Sequence, residues 1–261
     1  MSRFFHRQNI ILKTPAEIDQ MREAGAIAAR ALRLAGEAVE PGISTLEVNE
    51  VAEAVIREAG AIPTFLGYPV GHLKFPASIC ASVNSEVVHG IPSKTVKLCF
   101  GDVFTIDVGA TYEGWIGDTA NTFAVGAIDD DSQRLIEVTR EALYAGIAQC
   151  VPGNRLGDVS HAIGKVGRAA GLGIIQKYAG HGVGRSMHED PSVSNEGPAG
   201  KGPILKAGTV IAIEPMFTLG TDDVVTRDDG WTVVTTDGSR AAQVEHTVAV
   251  TKDGPLILTE E

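Results

Sequence analysis

Cysteine is scarce in this sequence. The three residues, Cys80, Cys99 and Cys150, are an odd number with no CxxC spacing. That excludes a disulfide framework and a thiolate zinc site, and it fits a reducing, cytoplasmic setting. No stretch approaches the roughly 18 consecutive apolar residues of a membrane span. The opening "MSRFFHRQNIILKTP" lacks the apolar core and small-residue cleavage site of a secretory signal. Positive charge is short as well, with 22 Lys and Arg against 33 Asp and Glu and a formal net charge of −11. Such a surface does not grip nucleic acid, whose phosphates need neutralising. Arg3, His6 and Arg7 form only a small basic tail, expected to be solvated. There is no GxGxxG, GK[ST] or HExxH, which excludes the common phosphate loops and the two-histidine zinc helix.

What is present is a long, evenly mixed chain, 44% hydrophobic over 261 residues and without a proline-rich or low-complexity linker. One compact unit is expected. "TPAE" places Thr14 at an N-cap, Pro15 at N1 and Glu17 in a capping box. Ile18, Met21, Gly25, Ala28, Leu32, Ala35 and Val39 then recur three and four apart, predicting a helix that Pro41-Gly42 ends. Ser44 and Glu47 open a second helix that stops at Gly60. A similar stretch returns 111 residues later. "PGISTLEVNEVAEAVIREAG" (41–60) and "PGNRLGDVSHAIGKVGRAAG" (152–171) share seven of 20 positions without a gap. Ordinary residue usage gives about one or two, so an internal duplication is favoured. Each half reads helix, helix, hairpin, the second beginning at Asp129–Ser132 with a helix to about Cys150. The order predicts an α+β fold.

The hairpins carry the chemistry. In "FTIDVGATYEGWIGDTANTFAV" (104–125), Asp107 and Asp118 interrupt a β-branched and aromatic run. A turn centred on Tyr112 and Glu113 would set them directly opposite each other. In the second half, the strands "GTVIAIEPMF" and "AAQVEHTVAV" carry Glu214 and Glu245, the latter on one face with Gln243 and Thr247. Four carboxylates converging on one interior cannot all stay ionised without cations. Some could be protonated, or Lys or Arg could pair with them, but no basic residue lies in "FTIDVGA", "GDTA", "VIAIE" or "QVEHT". Metal is the third escape. Oxygens with one imidazole suit divalent first-row ions, and a shared carboxylate can bridge two of them. Of seven histidines, His89, His181, His188 and His246 sit in glycine- or acid-flanked contexts. His246 should point to the face opposite Glu245 and pack there. Cys80 alone makes a weak case as a nucleophile.

"HGIP", "IDVGA…GDTA", "GHGVGRSMHEDP", "IEPMF" and "AAQVEHTVAVT" resemble, in order and spacing, the type I methionine aminopeptidases of the M24 metallopeptidases. The likeness runs from about Lys13 to Thr251. It implies the pita-bread fold, with pseudo-symmetric halves of about 13–128 and 129–251 in a single catalytic domain, 13–261, after a tail, 1–12. It implies two divalent ions (Co, Mn, Fe or Zn), with Asp107 on one, His181 and Glu214 on the other, and Asp118 and Glu245 bridging. The implied reaction is removal of N-terminal methionine from nascent chains, with a small second residue preferred, through a metal-activated water. Glu214 would accept the proton, His188 would stabilise the oxyanion, and His89 would contact the scissile amide. The methionine pocket would include His72, Phe75, Cys80, Tyr178, Met187 and Trp231. The sequence departs from familiar members at Phe75 and Met187, where Tyr and Phe are usual, and "GYPVGHLKFPASIC" is a few residues longer. The resemblance implies a monomer, and trimming nascent chains would bring it to the ribosome, though no residue speaks for that contact.

Related pita-bread enzymes, the X-Pro aminopeptidases and prolidases, share the five ligands but typically carry an N-terminal domain before the first helix. Type II methionine aminopeptidases have an insertion that the stretch from His188 to Glu214 is too short to hold. Some relatives with this fold are binding proteins that have lost metal ligands, whereas all five are present here.

Overall fold

The computed structural model describes residues 9–261, so the basic residues Arg3, His6 and Arg7 lie outside the described residues. Helix α1 (Pro15–Glu37) begins as its capping box requires: Glu17 N–H bonds Thr14 Oγ1, and Thr14 N–H bonds the Glu17 carboxylate. It ends at Glu37 with Ala38 as its C-cap, a few residues before Pro41. Val39 therefore falls in the connection. Helix α2 (Thr45–Glu58) repeats the device with Ser44 and Glu47. Helix α3 (Asp130–Ile147) is capped by Asp129, which accepts the Ser132 N–H at 2.8 Å. Helix α4 (Leu156–Ala170) lies where the repeated stretch predicts. Gly42 and Gly153 precede α2 and α4 at φ of 97° and 98°, and Gly60 and Gly171 follow them at 75° and 70°. These left-handed positions explain why both copies keep glycine there.

Each helix pair covers its own part of one nine-stranded antiparallel sheet. Residues of α1 and α2 bury Ala28, Val48, Ala52 and Ile56 against Ile79, Phe104, Ile106 and Val108. Residues of α3 and α4 bury Leu135, Leu143, Val159 and Ile163 against Ile211, Ile213, Val248 and Val250. Each of the larger side chains, Val, Leu, Ile or Phe, contributes about 1.5–3 kcal/mol on burial. The halves meet where Glu245 and His246 pair with Ala120 and Thr119.

The long hairpin differs from expectation in register. Its strands, Val103–Tyr112 and Trp115–Ala124, pair Tyr112 with Trp115, so Glu113 and Gly114 form the turn. Both have positive φ, 50° and 77°, the requirement of the two-residue turn that suits twisted strands. Asp107 consequently faces Ala120, and Asp118 faces Gly109. A shift of two residues keeps both aspartates on one face while removing their direct opposition.

The second hairpin is broken rather than continuous. One strand splits into Val210–Ile213 and Met216–Thr218 around Glu214-Pro215, and the other into Ala241–Gln243 and Glu245–Thr251. Proline donates no hydrogen bond, so the ladder stops there. Among the described residues no helix is long and apolar enough to cross a membrane.

Candidate metal centre

Side chains alternate along a strand, and residues in register across strands share a face. Cys80, Asp107, Ala120 and Glu245 form one such row, each paired with the next. Two residues along, Asp118 lies opposite Gly109, while His181 lies opposite Ala212. The acids and His181 thus stand above Ala120, Gly109 and Ala212, whose small size leaves room between them. Thr247 ties the rows together, its hydroxyl donating to Asp118 O at 2.8 Å while accepting the Asp118 N–H at 3.1 Å.

Asp118, His181 and Glu245 each place one donor atom within 4.8 Å of the others. His181 Nε2 is 3.6 Å from Asp118 Oδ2 and 3.7 Å from Glu214 Oε1. Glu214 Oε2 accepts Gln243 Nε2–H at 3.2 Å. Asp107 completes the wall of the same cavity.

The electrostatics of this cluster are severe. Burial first, and the neighbouring carboxylates second, push Asp118, Glu214 and Glu245 well above the usual carboxylate range. Burial pushes Asp107 up to about 7. Among the described residues no lysine or arginine pairs with any of the four. Asp107 Oδ1, Asp118 Oδ1 and Glu245 Oε1 are buried without a hydrogen-bond partner. Burial also pushes His181 down to about 4, so its ring is neutral. Its Nδ1 lies 3.0 Å from Gly182 O, which can only accept, so Nδ1 carries the proton. The Nε2 lone pair therefore points at two carboxylates. Lone pairs and orphaned anions gathered around one space fit a divalent cation with oxygen and nitrogen donors.

Beside the cluster is a cavity of about 130 Å³, the size of a side chain rather than of a folded partner. Phe75, Cys80, Met187 and Trp231 line it, together with His89 and His188. His72 does not. It is exposed at the turn between the short strands Pro69–Val70 and Leu73–Lys74, where the long loop carries it outward. Tyr178 also lies outside the lining, packed edge-on against His89 at 5.7 Å between ring centres. Phe65, Tyr68, Val70 and Val88 were not anticipated and do line the cavity. Alternation cannot find them, because three of the four belong to the irregular segment around "GYPVGH". Tyr68 is the most consequential, its hydroxyl 2.6 Å from His188 Nδ1. His89 takes a left-handed φ of 60°, a strained position for a residue with a Cβ. Cys80 is held as a neutral thiol by burial and the adjacent carboxylates, which removes its case as a nucleophile. His246 faces the other way, its Nδ1 2.9 Å from Thr259 Oγ1 and its ring against Tyr144. A wider groove, about 430 Å³ between α1 and α3, lies behind the sheet and contains none of the four acids.

A model of metallopeptidase family M24 matches residues 19–252. Methionine aminopeptidase 1 of Mycobacterium tuberculosis is 55% identical over 265 residues, covering 99% of this chain and 98% of that protein. The crystal structure of a methionine aminopeptidase from Thermotoga maritima superposes with a TM-score of 0.93 at 43% identity, covering 97% of this chain and all of that one. A prolidase from Pyrococcus furiosus superposes with a TM-score of 0.77 at 25% identity, and this chain covers 66% of it.

Proposed function

Because the chain belongs to metallopeptidase family M24, we propose that it hydrolyses the first peptide bond of chains beginning with methionine, preferring a small second residue. The observation that carries this reading is the cluster of unpaired buried acids opening onto a cavity the size of one side chain. The scaffold is the pita-bread fold, read as one catalytic domain of two pseudo-symmetric halves.

Asp107, Asp118, His181, Glu214 and Glu245 would hold two divalent ions, with Mn, Fe, Co and Zn all compatible with the donors. Bound there, the ions supply Lewis acidity for the scissile carbonyl and a lowered pKa for the attacking water. Glu214, its side chain 12% exposed at a strand end, takes up the water's proton. The Tyr68 hydroxyl lies 2.6 Å from His188 Nδ1; with the phenol O–H as donor there, the ring keeps its own proton on Nε2, where it would stabilise the developing oxyanion. Burial keeps His188 below its ordinary range and so neutral. His89, pushed down to about 4 by burial, is a neutral N–H donor for the scissile amide. Phe65, Phe75, Cys80, Met187 and Trp231 offer an apolar, polarisable wall that suits a thioether. The same reading places the protein in the cytoplasm as a monomer acting on chains leaving the ribosome.

The test is turnover of Met-Gly-, Met-Leu- and Ala-Pro- peptides after chelation and again after adding Mn²⁺ or Co²⁺. Cleavage of Met-Gly- restored by metal is the expected result. Cleavage of Ala-Pro- instead would transfer the assignment to the X-Pro peptidases.

A further inference from the structure

A buried ion pair outside the metal centre joins the start of the fold to its second half. Lys13 Nζ lies 2.6 Å from Glu189 Oε2, with the side chains 4% and 9% exposed. Glu189 directly follows His188. Its other oxygen, Oε1, accepts the N–H of Arg185 at 3.0 Å and of Ser186 at 3.2 Å. One carboxylate thus gathers the backbone of the turn that carries Met187 and His188, and the Lys13 ammonium fixes that carboxylate. Gly184 makes the space. A Cβ there would stand 2.6 Å from Glu189 Oε1 and 2.7 Å from Lys13 Cε. Lys13 is itself anchored, its N–H bonding Gly208 O at 2.7 Å and Thr14 capping α1 immediately after it. Asn9 N–H bonds Asp190 Oδ2 at 2.8 Å, so the segment before α1 holds the next residue too. On the opposite flank, Gly184 O accepts Ile116 N–H at 3.0 Å, and the Arg185 guanidinium lies 4.0 Å over the Trp115 ring.

Stability does not account for this pair. Desolvating two charges offsets most of their attraction, and a well-packed apolar replacement is often as stable. What the pair contributes is orientation. We propose that Lys13 and Glu189 are positioning residues, holding the 184–189 turn so that Met187 walls the cavity and His188 stands over the metal centre. Neither touches the cavity, whereas Met187 and His188 both do, and the His188 ring centre is 4.4 Å from that of His181. The proposal rests on, and deepens, the reading of His188 as the oxyanion donor.

Lys13→Met keeps the aliphatic stem and removes the charge. In the metal-loaded protein it should lower kcat on a Met-Gly- peptide about tenfold or more, as small misplacements of a reacting geometry do. Lys13→Arg should recover most of that loss. In a His188→Ala background the same Lys13→Met change should lower kcat less than about twofold, since no imidazole remains to be misplaced. An equal loss in both backgrounds would make the pair merely structural and overturn the proposal. Hydrogen exchange on the metal-free protein reads the turn without any activity. The Arg185 and Ser186 amides should exchange about tenfold faster in Lys13→Met while α2 stays protected; unchanged exchange there would also overturn it. Should the wild type release no methionine while these amides respond as expected, the functional reading fails and the holding of the turn stands. If Lys13→Met does not fold, Glu189→Gln, which leaves the ammonium without its charge partner, serves in the same cycle with the same expected outcomes.

Discussion

Glu245 is 1% exposed, has one oxygen with no hydrogen-bond partner, and feels the charge of three further acids, Asp118, Glu214 and Asp107. Its charge is an electrostatic burden that either a bound proton or a cation must relieve. Glu245→Gln should therefore raise the Tm of the chelated protein and abolish the further rise that Mn²⁺ gives the wild type, both readable by thermal melts. His188→Ala should lower kcat by roughly two orders of magnitude, the scale of losing one oxyanion donor, while metal content measured by elemental analysis stays unchanged. At this scale the acids were legible because carboxylates in apolar strands without a nearby Lys or Arg demand an explanation from the sequence itself. Phe65, Tyr68, Val70 and Val88 were not legible. Three of them lie in or beside the irregular 65–75 segment, and Val88, though in a strand, reaches the cavity only through the tertiary fold. His72 was misplaced for the same reason, since the longer loop turns it to solvent.

Helix α1 sits on the long hairpin by a contact between glycines. A Cβ on Gly117 would lie 2.4 Å from Gly25 Cα, and one on Gly25 would lie 2.0 Å from Leu258 O. Gly117→Ala must push α1 off the sheet, and overpacking of this kind costs about 1–3 kcal/mol. Denaturant unfolding should show that loss as a lower midpoint. The helices were the most legible elements, because capping boxes and three-four spacing are local signals, and Gly25 already stood in the predicted stripe. Hairpin register was less so. It depends on which two residues accept positive φ, and Glu113 with Gly114 does so rather than Tyr112 with Glu113. The split strands around Glu214 follow from Pro215, a signal that was present but does not by itself say where the chain resumes.

For the molecule as a whole, the two kinds of buried group oppose each other with pH. A carboxylate whose pKa is raised on folding holds a proton that the unfolded chain has lost, so stability falls as pH rises. Asp107 acts this way from 3.8 up to about 7, and Asp118, Glu214 and Glu245, raised by burial and by one another's charge, act in the same direction. His89, His181 and His246, pushed from 6.5 to about 4, act in reverse between those values, so stability rises there. Above 6.5 only the acids remain. The metal-free protein should lose Tm as pH rises above about 6.5, and the Tm gained on adding Mn²⁺ should grow as pH rises there, because ligands must be deprotonated to bind.

The measurement that tests the account most directly is a titration of the chelated protein with Mn²⁺, following bound ion per chain and Met-Gly- turnover together. Turnover that is absent without metal, rises as the sites fill and never appears in Glu245→Gln is the predicted result. Full turnover in the chelated wild type, or in Glu245→Gln, would contradict it.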